Sequence, residues 1–238
     1  MTSQTTIYGY ISRSRKCGIV LLTLIVTMLA PLGIAAQEQN ATIVIQKDTI
    51  PLFRGFSVQF NIAGVATKML SDRGEIEGAL RLNLRDKYFP IAELGYGMAD
   101  HDDEVMSWQY KTKAPFMRAG MDWNLLRNKH TGNRLYGGLR YGFTSYKVDI
   151  MHPGLIDPVW GDIMPVEQLG EKCNQHWAEL VFGVDAQIAG PLHLGWNVRY
   201  KRRISHKDPS IGNAWYVPGY GKAGGVCWGA DFNVIIDI

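Results

Sequence analysis

Three groups of residues in this chain have types and spacing suited to chemistry. Asp100-His101-Asp102-Asp103-Glu104 sets an imidazole among carboxylates, hard oxygen ligands of the kind that hold a divalent cation. Ser205-His206 supplies a hydroxyl and an imidazole, two parts of a hydrolase triad. The third group is dispersed: Glu77, Arg81, Glu93, Arg118, Asp122, Arg140, Glu179, Asp185, Arg199, Lys201, Arg203 and Asp231, each at a polar position of an alternating apolar run. The acidic group reads first as a solvated loop, and a Ser next to a His on a loop is weak evidence for a triad. The chain has no glycine-rich nucleotide loop, zinc spacing or nucleophile elbow. No catalytic residue, metal or cofactor is therefore expected, and the dispersed charges become the main question.

Those charges sit in runs such as Phe56-Ser57-Val58-Gln59-Phe60-Asn61-Ile62 and Met117-Arg118-Ala119-Gly120-Met121-Asp122-Trp123. Strand side chains alternate faces, so a period of two makes a sheet with one apolar and one polar face. Eight such runs are read at 55–65, 76–84, 88–98, 115–126, 134–148, 174–188, 192–203 and 224–237. Each is about the length a tilted strand needs to cross a bilayer. Tight links at 85–87, 127–133 and 189–191 alternate with longer ones at 66–75, 99–114, 149–173 and 204–223. Short periplasmic turns alternating with long extracellular loops are the habit of outer-membrane barrels. The expected fold is all-β: an eight-stranded antiparallel up-and-down transmembrane β-barrel over 53–238, with both ends periplasmic.

Alternation by itself does not say which face is outside, and a soluble lipocalin-like binding cup would reverse them. Three features favour the membrane version. The polar face is rich in glycine (Gly95, Gly97, Gly120, Gly138, Gly142, Gly183, Gly195, Gly229), and it carries six acids balanced by six bases. The apolar face has Tyr88, Tyr96, Trp123, Tyr141, Phe143, Tyr200 and Trp228 near strand ends, as interfacial girdles do. Eight strands leave room only for side chains. Charges in that space need partners, so a hydrogen-bonded ionic network filling the lumen is expected, with glycines making room for arginines.

Residues 1–36 read as a cleaved signal peptide: Arg13, Arg15 and Lys16, an apolar core from Gly18 to Ala30, and small residues at Gly33-Ile34-Ala35-Ala36. Residues 37–52 read as a periplasmic lead. The leader's three basic residues account for the whole +3 net charge, so the mature chain is formally neutral and nucleic acid is not an expected partner. Cys173 and Cys227 lie near the extracellular rim with inward parity, and whether they are bonded stays open. Loops 149–173 and 204–223 hold Pro153 to Gly161 and Trp215 to Gly221, aromatic and poor in charge. They are expected to be ordered, packed as a lid across the mouth or against an envelope protein partner.

Glu93-Leu94-Gly95-Tyr96-Gly97, Phe116 to Asn124, Tyr136-Gly137-Gly138-Leu139-Arg140-Tyr141, Asp157-Pro158-Val159-Trp160-Gly161 and Trp215 to Gly221 resemble a family of small outer-membrane barrel proteins of Bacteroidota with no assigned function. The architecture is also similar to OmpA- and OmpW-type barrels. The resemblance implies fold and location and carries no catalytic residues. Gly229, Phe232 and Val234 match the terminal-strand spacing of substrates of the outer-membrane insertion machinery, with Ile238 where an aromatic is typical. The reading is an outer-membrane protein among lipid, with a plugged lumen and a structural, assembly or partner-binding role. A narrow transport barrel for a small or hydrophobic solute is the alternative.

Overall fold

The computed structural model describes residues 51–103, 107–156, 161, 163–210 and 214–238. The leader and nearly all of the lead lie outside these residues. Eight long strands close into one barrel: β1 (Phe53–Asn61), β2 (Arg73–Leu84), β3 (Tyr88–Asp103), β4 (Trp108–Asn124), β5 (Arg134–Ile156), β6 (Ile163–Ala189), β7 (Leu192–Lys207) and β10 (Val226–Asp237). A small separate hairpin, β8 (Tyr216–Val217) with β9 (Gly221–Lys222), lies between β7 and β10. Every barrel neighbour is antiparallel and next along the chain, apart from β1 on β10, which closes the ring. At that seam Ser57 faces Asp237 and Asn61 faces Asn233. The fold is the all-β, eight-stranded, up-and-down barrel expected from the alternation.

Inside and outside follow the alternation. In β3, Phe89, Ile91 and Glu93 are buried while Tyr88, Ala92 and Leu94 are exposed. In β6 the odd residues from Cys173 to Asp185 are buried, and Leu180, Phe182 and Val184 face out. The outer surface is therefore apolar and the interior polar, the reverse of a water-soluble barrel.

Three parts of the strand assignment need correction. First, the run 55–65 ends as a strand at Asn61. Its side chain caps a helix, α1 (Ile62–Leu70), by accepting a hydrogen bond from the Gly64 amide at 3.2 Å. The cap supplies an orphan amide with a partner, and Ala63, Gly64 and Ala66 remove the β-branched bulk that would have continued the strand.

Second, the regions expected as long loops are largely strand. β3 and β4 run on to Asp103 and from Trp108, and β5 and β6 form a hairpin of 23 and 27 residues. Both exceed the roughly 9–11 residues a bilayer crossing takes, so this hairpin projects well past the barrel wall. These stretches were hidden because their polarity inverts: the inner face carries Ala99, Tyr110, Ala114, Ile150 and Cys173, buried together at the mouth, while the outer face carries Asp100, Lys111, Lys113 and Lys172.

Third, β7 carries an extra residue where it pairs with β6. His176 faces Ser205 but Trp177 faces Arg203. The extra residue is Ile204, so the parity shifts from Ser205 onward and Arg203 keeps that of the strand before it.

Candidate functional site

The twelve dispersed charges all keep the lumen parity of their strands, and side chains from all eight barrel strands interlock there. At its centre is Glu93 on β3, 1 % exposed. Its carboxylate pairs with the guanidiniums of Arg140, Arg199 (2.8 Å) and Arg118 (3.1 Å). Arg118 also meets Glu77 at 2.8 Å and Glu179 at 3.6 Å. Arg199 reaches Glu77 (3.4 Å), Glu179 (3.2 Å) and Asp231. One layer nearer the turns, Asp122 joins Arg140 (3.1 Å) to Arg81 (3.2 Å), and Arg81 pairs with Asp185 at 2.5 Å. Each guanidinium presents a planar fork, which lets one arginine satisfy two or three carboxylates at once.

Glycines create the room. A Cβ at Gly138 would stand 2.0 Å from the Asp122 carboxylate, and one at Gly120 would stand 2.7 Å from Arg140 Cγ. A Cβ at Gly142 would meet the Trp177 ring at 2.2 Å, and one at Gly183 would meet Tyr136 at 2.6 Å.

Two members depart from the expected set. Among the described residues no ion pair joins Lys201 to an acid; its Nζ donates to the Gly219 carbonyl at 2.8 Å. Arg203 stands on the barrel side of the β7 bulge, opposite Trp177 and with the lumen parity of Arg199 and Lys201, but it is half-buried at the rim and among the described residues no ion pair joins it to the network.

Several neutral partners escaped the sequence reading. Trp177 Nε1 donates to Glu179 at 2.6 Å, Asn61 Nδ2 to Asp231 at 3.0 Å, and Arg199 Nε to Asn197 Oδ1 at 3.1 Å. The Arg81 guanidinium also lies 4.6 Å over the Tyr136 ring. Inward parity was the signal that could have found them, since each occupies a lumen position of its strand.

The mouth above the network is stoppered by the chain itself. Residues 214 and 216–220, which include the β8–β9 hairpin's first strand and turn, are buried. Tyr110 Oη donates to the Tyr216 carbonyl at 2.6 Å, and Tyr216 Oη donates to Glu75. Burial and then the Glu75 carboxylate push the Tyr216 phenol up, which keeps it protonated as that donor. Pro218 occupies the space over Gly97, where a Cβ would stand 2.9 Å from it, and Gly219 rests on the Phe116 ring. Tyr220 meets Trp177 edge-on at 5.8 Å between centroids. The aromatic segment of the last long loop therefore packs into the mouth, as the lid expectation had it.

The other chemical candidates are dispersed by the same alternation. Asp100 pairs with Lys111 at 3.3 Å, while His101, with the opposite parity, stacks on Trp215 at 4.0 Å and meets Asp72 at 3.1 Å. Glu104 lies outside the described residues. Among the described residues no three His, Cys, Asp or Glu side chains converge on a metal-sized site. His206 pairs with Asp208 at 2.8 Å, and among the bonds of the described residues none joins it to Ser205. Cys173 and Cys227 are free thiols, the first buried and the second half-buried.

At the opposite end, the β2–β3 turn is a tight one in which Arg85 and Asp86 both have positive φ (57° and 54°). Asp86 accepts from Asn83 Nδ2 at 2.7 Å, meets His130 Nδ1 at 2.8 Å and pairs with Arg54. Burial pushes its carboxyl up, but the hydrogen bonds from His130 and Asn83 and the Arg54 charge outweigh burial and hold it below the ordinary 3.8. A carboxyl depressed in the folded state contributes stability above its unfolded pKa and loses it as pH falls through the folded value. Asp86→Asn, which keeps the tolerance for positive φ, is expected to cost about 1 kcal/mol at pH 7. That difference should shrink once the pH drops below 3.8. Urea midpoints of both proteins at pH 7 and at acid pH check it; a gap that does not change with pH would refute the assignment.

Comparison with known proteins adds a family. No curated protein matches this chain. Among solved structures, neisserial surface protein A is similar with a TM-score of 0.43 at 11% identity, covering 78% of this chain and 99% of that one. A major outer membrane protein from Thermus thermophilus gives a TM-score of 0.41 at 14% identity, covering 77% and 98%. A family model described as a domain of unknown function, DUF6048, matches residues 19–237. The chain, a closed eight-stranded barrel with a charged lumen and a self-supplied stopper, belongs to the DUF6048 family.

Proposed function

We propose that this is an outer-membrane β-barrel protein, exported with a cleaved signal peptide, whose lumen is closed and whose role is structural, in assembly, or in binding an envelope partner. One observation carries the reading: the barrel is inverted relative to a soluble one. Leu94 (66 %), Leu180 (55 %), Phe182 (54 %), Trp196 (57 %) and Trp228 (69 %) are exposed on the outside, while Glu93, Arg118 and Glu179 are 1–3 % exposed within. Water would penalise that outer surface, and a bilayer is the solvent in which it is stable. The outward apolar stretch of β4, Pro115 to Trp123, spans nine residues, which at about 3.3 Å each and a tilt near 40° rises about 20 Å, close to the apolar band of such barrels. A lipocalin-like cup would need the opposite faces. The Bacteroidota resemblance of the sequence is compatible with this location and supplies no activity.

The closed lumen argues for binding or scaffolding over transport. Two barriers lie in series, the stopper at the mouth and the arginine–carboxylate layers beneath it. With residues 214 and 216–220 turned inward, the β5–β6 hairpin offers a surface to a partner, and Ile163 and Leu169 are 71 % and 60 % exposed on it. Purified protein in a planar bilayer is expected to show no steady conductance across physiological voltages. Reproducible openings abolished by Arg140→Ala or Glu179→Ala would replace this reading with the narrow transport barrel.

A further inference from the structure

We infer that the outer wall of the barrel, just above its apolar belt on the stoppered side, carries a docking site for the phosphate-bearing head group of an anionic lipid. The inference rests on the membrane reading above and adds a ligand to it.

The site begins with strand register. Met98 on β3 faces Lys113 on β4, Lys113 faces Lys147 on β5, and Lys147 faces Lys172 on β6. All three lysines have outward parity and are exposed. Directly opposed like charges on neighbouring strands repel one another, so a sheet places them side by side only against some compensating charge. Among the side chains the structure describes, that compensation is missing. Among the described residues no carboxylate comes within ion-pair distance of Lys113, Lys147 or Lys172, while the acids nearby are engaged. Asp100 pairs with Lys111 (3.3 Å), Asp72 with His101 (3.1 Å), and Asp149 accepts from the Gly170 amide (2.6 Å).

The row ends in a shaped groove. At Gly74, next in register to Met98, the missing side chain lets α1 lie against β2; a Cβ there would stand 2.2 Å from Lys68 Cβ. Lys68, Arg73, Lys111 and the three lysines of the row line a cavity of about 890 Å³, against Asp72, Asp100 and Asp149. That leaves a formal excess of three positive charges over the acids in the same lining.

Position identifies the occupant. Directly below the row on the same outward faces stand Tyr96, Pro115 and Met117, and on β5 Tyr141 and Phe143: the upper edge of the apolar belt and its aromatics. The lysines therefore sit at head-group height, with acyl chains beneath them. Their long stems let the ammonium groups reach phosphate oxygens from a wall position. The helix beside the groove fits the same surroundings. Ile62 (41 %), Met69 (83 %) and Leu70 (88 %) are exposed at a spacing of two helical turns, one apolar stripe of an interfacial helix flanked by Lys68.

The test uses the purified full-length protein in detergent, with native mass spectrometry counting lipids retained from equimolar phosphatidylglycerol and phosphatidylcholine. The wild type is expected to retain phosphatidylglycerol preferentially, and the preference should fall with added salt. Lys113→Gln, Lys147→Gln and Lys172→Gln combined should lower that preference by at least about tenfold, given the usual contribution of each basic residue near an anionic lipid surface. Lys129→Gln, on the turn at the other end of the barrel, should leave it unchanged. Equal retention of both lipids, or a triple variant as selective as the wild type, would overturn the inference and point to an acidic protein segment as the occupant. Displacement of phosphatidylglycerol by an equal concentration of inorganic phosphate would overturn the lipid as source. Insertion into phosphatidylcholine vesicles, followed by heat-modifiable migration, is measured in parallel. Failure there sinks the membrane reading, whereas insertion without lipid preference sinks only the lipid site.

Discussion

Glu93→Leu is expected to destabilise the barrel by about 3–5 kcal/mol, the cost of stranding buried charges by removing one partner. The side chain it removes is the one that Arg118, Arg140 and Arg199 share. A leucine fits the volume but offers those guanidiniums nothing. Arg140 keeps Asp122, and Arg199 keeps Glu77, Glu179 and Asp231, yet the lumen then holds three arginines around an apolar side chain at its centre. The magnitude does not measure what the network contributes as a whole. Replacing many charges together by well-packed apolar groups would cost far less than breaking one link, because desolvation has already been met for every ion present. Urea titration in mixed micelles, followed by tryptophan fluorescence, reads the effect. Leu94→Val, the neighbouring residue on the outer face, serves as the comparison and should shift the midpoint little. A Glu93→Leu midpoint within error of the wild type would show that the arginines find other partners and that the network is not the lumen's organising element.

Gly219→Val should unseat the stopper while leaving the barrel closed. Gly219 has φ of 78°, and a Cβ there would lie 2.4 Å from the Phe116 ring. A β-branched residue meets both penalties, the left-handed backbone and a forced overlap with packed aromatic atoms, together about 2–4 kcal/mol. The hairpin is tied in place by few bonds: Tyr110 to the Tyr216 carbonyl, Tyr216 to Glu75, and Lys201 to the Gly219 carbonyl. Strain of this size is enough to favour the withdrawn hairpin. The expected result is unchanged far-ultraviolet circular dichroism with increased acrylamide quenching of Trp177 and Trp215 and faster proteolysis between β7 and β10. Trp177, now 0 % exposed beneath Tyr220, is the sensitive reporter. Quenching indistinguishable from the wild type would mean that Phe116 yields and the stopper stays. Because the ionic layers lie below the stopper, conductance is expected to stay absent in this variant too.

The lumen was legible to different depths. Glu93, Arg118, Asp122, Arg140, Glu179 and Asp185 could be placed inside from their positions alone, because strand parity is fixed by backbone geometry and the apolar neighbours on the outer face hold it in register. Arg203 keeps the same parity, but it stands at the rim just before the extra residue of β7, where among the described residues no acid of the network pairs with it. The acidic run at 100–103 looked like a loop because Asp100, His101, Asp102 and Asp103 put polar residues on both strand faces, so the period of two loses its contrast there. Ile62 to Leu70 looked like a strand's end followed by a loop because nothing local marks Asn61 as a helix cap until its side chain meets the Gly64 amide.

Alone, the sequence determined the eightfold alternation, the sidedness of its charges and the presence of an aromatic segment outside the repeat. Those are local properties, written in periodicity and composition. Which arginine meets which carboxylate, that Trp215 to Tyr220 packs against Gly97 and Phe116, and that Lys113, Lys147 and Lys172 fall into one row were decided by tertiary structure. All three depend on inter-strand register, and register is set collectively when the ring closes, with β1 pairing to β10 across nearly the whole length of the barrel domain. Closure turns independent local periods into fixed neighbours, and only then do charges far apart in the chain acquire partners.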